Sequence, residues 1–532
     1  MNSPSPAAAG STASSGRVVR PVAVIDIGTS SIRMAIAEID DAGNVHTLEK
    51  LQQAVSLGKD TFTLGHIRKQ TIEECVRVLK SYRRSMAEYQ ITRPDQIRVV
   101  ATSGVREATN RLAFIDRIFI ATGLHVEPLD EAVVSRLTYL GIQPFLSSDP
   151  ALQVARTLVV EVGGGSTELL VMRNGTVLYS HTYRLGSLRL REMLEAYQAP
   201  TVKVRDIMEA QIERTVKQIR EHVTGEGSVE MIALGGDMRF AAAQLIPDWH
   251  PESLGRVPLL ALEELTNRLL NMSEDRIVRK FHLSFPDADT VGSALLAYVH
   301  MARAFDLVNV LVTNTNLRDG LLKEMAIKSA WNEELNTQII RSALELGRRF
   351  HFDEAHARHV AELSRKLFHA LRDEHQLEQR QVIILYLAAL LHEIGLYVSF
   401  QSHHKHSMYL IRNSELFGLG RKDVLLVALV ARYHRRASPQ PDHEGYSTLE
   451  RDERVTVAKL AAVLRVALAL DESRSQRITD FRLVREEGRL VLVVPDVDDL
   501  SLEQLTLRQN GSLFEEVFGT PLLLRGGQVE SE

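Results

Sequence analysis

The sequence predicts an α/β protein of two similar lobes meeting at a cleft, followed by a helical half and a small α/β end. Three observations predict it. First, Leu158–Val171 reads LVVEVGGGSTELLV and Val22–Ile36 reads VAVIDIGTSSIRMAI. Each is an apolar run, an acid, a glycine turn with hydroxyls, and a second apolar run, so each predicts strand, turn and strand. Second, from about Ser329 the chain changes to long amphipathic stretches rich in His, Leu and Arg. Third, the last 60 or so residues return to period-two alternation, as in FRLVREEGRLVLVVPD.

The two glycine turns carry the chemistry. Glycines let a backbone approach a ligand closely, and free N–H groups with Ser and Thr hydroxyls grip phosphate oxygens. The candidate phosphate-binding residues are Gly28, Thr29 and Ser30 in the first turn, with Gly164, Gly165, Ser166 and Thr167 in the second. Asp26 and Glu161 end the two leading strands, and Glu161 and Glu168 bracket the second turn, where carboxylates hold a metal or orient water. A glycine-rich hairpin without any ligand is the plain alternative for either turn.

Taken in order, residues 1–19 are Ser, Ala, Gly and Pro without an apolar signal core, which predicts a disordered tail on a cytoplasmic protein. Residues 20–141 form the expected first lobe. Within it Asp41–Asn44 is a turn, Thr71–Tyr89 has helical periodicity, and IRVVATSG is a strand ending in a small-residue turn followed by Arg106. A guanidinium there binds phosphate as a planar fork or forms a surface salt bridge. Residues 142–328 form the second lobe, with a hairpin at Asn174-Gly175, a helix over Val204–Val223, and strand, glycine turn and helix in MIALGGDMRFAAAQL. Residues 329–475 form the helical domain, ending in the helix Arg454–Leu470, and residues 476–532 the small α/β domain with a turn at Glu487-Gly488.

Composition sets limits on these readings. The chain is 532 residues long, 45% hydrophobic and 25% charged, with a formal charge of −5. That balance argues against non-specific nucleic-acid binding. The lone Cys75 rules out an intramolecular disulfide and reads as a buried thiol. The longest apolar run, Val382–Leu391, is too short to span a membrane and predicts a buried helix.

Paired acid-glycine-hydroxyl turns resemble the actin-like (ribonuclease-H-like) ATPase superfamily. The ordered set DIGTSSIRM, VVATSGVREATN and VVEVGGGSTELL resembles its exopolyphosphatase/guanosine pentaphosphate phosphatase (Ppx/GppA) branch. The resemblance implies two actin-like lobes and release of terminal orthophosphate from inorganic polyphosphate, with guanosine pentaphosphate as a further substrate. It also implies a homodimer, and Mg²⁺ or another divalent cation with Asp26 and Glu161 as its candidate ligands. Arg106 matches an arginine that contacts phosphate in the family. The chain departs from the pattern where the family carries Gly-Glu-Glu-Ala-Arg-Leu: an ungapped alignment puts Val133 and Val134 at the glutamates, one of which is the general base. Glu131 lies about one helical turn earlier and is the substitute candidate, with Glu168 the other catalytic carboxylate. Glu161 stands for the usual Asp, Asp237 for a Thr, and Asn316 for a Gly. A binding-only sensor of polyphosphate or alarmone is the alternative reading, and a sugar kinase on the same scaffold a third.

The helical half, with LAALLHEIGLYVSF, HHKHSMYLIRNSEL and LVALVARYHRR, resembles the histidine-aspartate (HD) domain. That resemblance implies His359, His392, Glu393 and Asp471 as metal candidates, the alternative being a metal-free helical platform. His403, His404, Lys405, His406, Arg432, His434, Arg435 and Arg436 form a basic cluster suited to a polyanion or to plain solvation.

Overall fold

The computed structural model describes residues 19–527 except 199, 201–202, 224–226, 251, 328–332, 436, 487, 496 and 498. The expected tail therefore lies outside the described residues but for Val19, as do Arg436 and Glu487. The first sheet contains β1 (Arg20–Ile27), β2 (Ser31–Ile39), β3 (Val45–Ala54), β4 (Ile97–Ala101) and β5 (Val126–Pro128), in the order β3-β2-β1-β4-β5. The first three strands are antiparallel; β4 and β5 add in parallel. β1 is central, and its apolar run is buried on both faces, which is why it does not alternate with polar residues. Ala23, Ile25 and Ile27 face Cys75, Leu79, Phe114 and Ile118 on one side. Val22 and Val24 face Val134, Leu137, Leu321 and Leu322 on the other.

The second sheet contains β6 (Arg156–Val162), β7 (Thr167–Arg173), β8 (Thr176–Tyr183), β9 (Val229–Leu234), β10 (Gly255–Pro258) and β11 (Asn309–Val312), in the order β10-β11-β9-β6-β7-β8. Without the edge strand β10, its order and strand directions repeat those of the first sheet. The hairpin expected at Asn174-Gly175 is present, with φ of 51° and 68° as a primed two-residue turn requires.

One expected boundary needs correction. The break at 141–142 falls inside a continuous helix, Glu131–Ser148. Its first half packs on the first sheet through Val134 and Leu137, and its second on the second sheet through Tyr139, Leu140 and Ile142. The helix Leu317–Ala326, at the end of the expected second block, likewise returns to cover the first sheet. These two helices cross closely: a Cβ on Gly320 would overlap the Leu137 carbonyl, and one on Gly141 would press on Thr315 Cγ2. Composition changes little along such a helix, so its sequence carries no mark of a boundary.

The helical half contains Glu333–Arg349, Glu354–Ala370, Gln381–Leu391, His403–Arg412, Arg421–Arg432 and Arg451–Leu470. Gln381–Leu391 is buried along its length from Ile383 onward, as its composition predicts. Finally β12 (Arg482–Glu486), β13 (Arg489–Pro495) and β14 (Leu522–Gly527) form a three-stranded sheet backed by Ser501–Asn510 and Ser512–Phe518. Among the described residues no helix is long and apolar enough to cross a membrane.

Candidate active site

The two glycine turns have the same internal geometry. Gly28 N–H donates to the Ser31 carbonyl at 3.0 Å, and Gly163 N–H donates to the Ser166 carbonyl at 2.8 Å. Each turn is held from behind by its carbonyls. Thr29 and Ser30 accept from Gly58 and Val55 N–H at 2.7 and 3.0 Å. Gly163 and Gly164 accept from Ser187 and Arg189 N–H at 3.0 and 2.9 Å, and Gly165 accepts from Arg189 Nε at 2.7 Å. In a trans peptide the N–H following a carbonyl points the opposite way. The N–H groups of Ser30 and Ser31, and of Gly164, Gly165 and Ser166, are therefore turned away from these anchors. Both turns line one cleft of about 270 Å³. Successive N–H groups of this kind make an anion cradle.

The turns also meet one another. A Cβ on Gly164 would overlap Thr29 Oγ1, and one on Gly165 would overlap Ser103 Oγ. Glycine is needed there because the opposite lobe occupies the space a side chain would take.

Strand register places the carboxylates. Asp26 lies opposite Arg33 across β1–β2, and Glu161 lies opposite Glu168 across β6–β7. Asp26, Glu161 and Glu168 all line the cleft. Asp26 Oδ2 is 3.5 Å from Arg318 Nη1, while its Oδ1 is buried with no hydrogen-bond partner. Burial pushes the Glu161 carboxyl up from its ordinary value; Arg239 opposes the shift and Asp26 adds to it. Glu168 is pushed up to about 7 by burial and then by Glu161, against the pull of Ser166 Oγ, which donates to it at 2.6 Å, and of Arg106. An orphaned Asp26 oxygen beside the half-buried Glu161 carboxyl is a donor set that fits a hard divalent cation. Tyr298 braces this wall: its hydroxyl donates to the Leu234 carbonyl at 2.6 Å and accepts from Val162 N–H at 2.7 Å.

Three guanidiniums, Arg33, Arg239 and Arg318, line the same cleft. Burial holds Arg239 and Arg318 below the ordinary arginine value, and the charge of Arg33 lowers both further. Three like charges facing one cavity are stabilised by an anion between them. Sequence reading missed them, although a signal exists: Arg33 has the same offset from Asp26 as Glu168 has from Glu161. Asp237, at the start of the helix Gly236–Leu245, is pushed up to about 6 by burial and then by Asp287.

Other expected residues lie elsewhere. Arg106 and Glu131 line a neighbouring cavity of about 450 Å³ between the lobes and the helical half, not the cleft. Arg106 donates to the Leu129 carbonyl at 3.0 Å and sits 3.4 Å from Glu131 Oε1. Val134 does line the cleft, with no atom that accepts a proton. Thr167 is fully buried, and its hydroxyl donates to the Leu185 carbonyl at 2.5 Å instead of facing the cleft. In the helical half the imidazole beside His392 and Asp471 is His356, about one turn before the expected His359: its Nδ1 is 2.8 Å from Asp471 Oδ2. The basic cluster divides, since the buried rings of His403 and His434 line a cavity of the helical half, with the exposed Arg435 at its wall, while Lys405 is exposed and is not among the residues that line it.

The sequence pattern described as "Ppx/GppA phosphatase family" matches residues 23–329, and that described as "Ppx/GppA phosphatase, domain III" matches residues 340–510. A guanosine-5'-triphosphate,3'-diphosphate pyrophosphatase of Photobacterium profundum is 23% identical over 512 residues, covering 94% of this chain and 97% of its own. The protein of that name from Aliivibrio fischeri is 24% identical over 452 residues, covering 83% and 86%. An exopolyphosphatase from Cytophaga hutchinsonii shares the fold with a TM-score of 0.52 at 21% identity, covering 58% of this chain and 99% of its own. With both lobes and the helical half matched in order, the chain belongs to the Ppx/GppA phosphatase family.

Proposed function

We propose that the cleft hydrolyses the terminal phosphoanhydride of inorganic polyphosphate, releasing orthophosphate, and takes guanosine pentaphosphate as a second substrate. The observation carrying this reading is the convergence of two anion-cradling turns, three arginines and Glu168 on one cavity. The turns hold the terminal phosphoryl oxygens, and Arg33, Arg239 and Arg318 balance the charge of the chain behind it. Glu168 accepts the proton of the attacking water at a carboxylate oxygen; a carboxyl near neutrality is suited to taking a proton and giving it up. Ser166 orients that carboxylate through its hydrogen bond. Asp26 and Glu161 would hold Mg²⁺, which supplies charge neutralisation at the transferred phosphoryl. The Val134 side chain supplies no base, and Glu168 supports hydrolysis without one there.

Phosphate release from long-chain polyphosphate and from guanosine pentaphosphate, each with and without Mg²⁺, tests the proposal. Mg²⁺-dependent release is the expected result. Tight binding of both compounds with no turnover in the wild-type protein would reject hydrolysis in favour of a sensor.

A further inference from the structure

Behind the glycine turns, the seam between the two lobes is built on one helix of the second lobe, Ser187–Ala196. Its first turn holds the second glycine turn: Ser187 and Arg189 N–H donate to the Gly163 and Gly164 carbonyls, and Arg189 Nε donates to the Gly165 carbonyl at 2.7 Å. The same helix reaches the first lobe through Arg189 and Glu192, three residues apart and so on one face. Arg189 Nη2 donates to Glu107 Oε1 at 2.7 Å, and its guanidinium lies 4.2 Å from the centroid of the Phe62 ring. Glu192 is buried and accepts from Thr63 Oγ1 at 2.8 Å. The other Glu107 oxygen accepts from Arg184 Nη2 at 2.8 Å, so two cations of the second lobe close on one acid of the first.

Arg189 uses its whole fork. A guanidinium is planar and its N–H groups point in fixed directions. With Nε on Gly165 and Nη2 on Glu107, the plane cannot turn toward one partner without leaving the other. The two partners belong to opposite lobes. Gly165 lies in the second glycine turn, and Glu107 follows the short helix Ser103–Arg106 of the first lobe. That helix also supplies Ser103, whose Oγ, with Phe62, fills the space that a Cβ on Gly165 would need. One side chain thus fixes both the carbonyl side of the turn and its seat against the first lobe. Neither Arg189 nor Glu107 is among the residues that line the cleft, so any effect they have on a phosphate there passes through Gly165.

We infer that Arg189 is a positioning residue that couples closure of the two lobes to the shape of the phosphate turn, with Glu107 as its catch on the first lobe. Separation of the lobes breaks the contacts to Glu107 and Phe62 and leaves the guanidinium free to swing on Gly165. The turn then loses its fixed distance from Thr29 and Ser103, so the two-sided cradle is complete only when the cleft is closed. This role rests on the cleft being the site of phosphate release, and it gives that site a means of forming around a substrate and opening for its product.

The test joins steady-state phosphate release from long-chain polyphosphate in Mg²⁺ to a distance measurement on the full chain. Spin labels are placed at Arg84→Cys and Glu264→Cys, exposed sites on the helices Lys69–Glu88 of the first lobe and Leu259–Leu270 of the second, and read by double electron–electron resonance. Glu107→Ala frees both arginines and leaves every residue of the cleft in place; Arg189→Lys keeps the charge but not the fork. Each is expected to lower kcat by about 10- to 100-fold with KM little changed, and to spread the label distances toward longer values. The double variant is expected to match Arg189→Lys alone. A wild-type kcat in Glu107→Ala, losses that multiply in the double variant, or wild-type label distances in both single variants overturn the inference. Should Arg189→Lys fail to fold, Glu107→Ala, at a partly exposed residue, decides by the same two measurements. Absence of phosphate release by the wild type rejects hydrolysis, and the distances then decide the catch alone: a widened distribution in Glu107→Ala supports it and an unchanged one rejects it.

Discussion

Gly164 and Thr29 belong to different lobes, yet a single added carbon on Gly164 would overlap the Thr29 hydroxyl oxygen. The proposed phosphate cradle is thus a contact between two turns, kept close by the absence of a side chain at Gly164.

Gly164→Ala is accordingly expected to push the turns apart and lower kcat by about 100-fold, the cost of roughly 1 Å of misplacement. Circular dichroism should remain that of the wild type. An unchanged rate of phosphate release would mean that the turns do not hold the reacting group together.

Glu168→Gln is expected to lower kcat by about 10²–10⁴-fold, the usual contribution of a general base, with little change in substrate binding. Glu131→Gln, outside the cleft, is expected to cost less than about tenfold on the same scale. Val134→Glu brings a second carboxylate into the cleft and separates the alternatives. A rise of orders of magnitude in turnover would identify the natural protein as one lacking its base. The opposite ranking of the two glutamates would transfer the role to Glu131.

Glu324 joins the two lobes to the helical half. Its carboxylate receives Arg136 Nη2 at 2.7 Å and Arg98 Nη1 at 3.2 Å, and Arg136 also donates to the Gly418 carbonyl at 3.0 Å. Removing one member of a buried pair leaves the other charge desolvated, so Glu324→Leu is expected to destabilise the fold by about 3–5 kcal/mol. A urea midpoint matching the wild type would contradict this.

His181 Nδ1 on β8 is 2.9 Å from Glu415 Oε1 in the helical half. That hydrogen bond holds the His181 pKa above its ordinary value. A raised folded-state value means that the contact contributes fully below the unfolded value of about 6.5 and is lost as pH rises through the folded one. Glu415→Gln should therefore lower Tm at about pH 6 and leave it unchanged by about pH 8.5. A gap of constant size across that range would show that the imidazolium is not involved.

The turns, their carboxylates and the change to helices were legible because strand period, glycine spacing and helix period are local properties of sequence. Asp26 and Glu161 could be placed at strand ends from the apolar runs before them. What was not legible depended on distance. Arg239 and Arg318 reach the cleft because their helices start at its rim; the Gly235-Gly236 turn marks one of those starts in the sequence, but not which side chain turns inward. Thr167 reads as a second hydroxyl ligand, but strand alternation turns it from Ser166 toward Leu185. His356 and His359 both fit a helical histidine ligand; packing against His392 separates them.

The return of Leu317–Ala326 onto the first sheet governs the order in which the protein is made. Until residue 326 has left the ribosome, Leu321 and Leu322 cannot shield Val22 and Val24. The N-terminal lobe, first to be synthesised, must wait for one of the last pieces of its partner lobe. During that interval the nascent chain presents an apolar sheet face that other molecules can reach. Chaperone demand should then fall on this lobe early in translation, long before the helical half emerges.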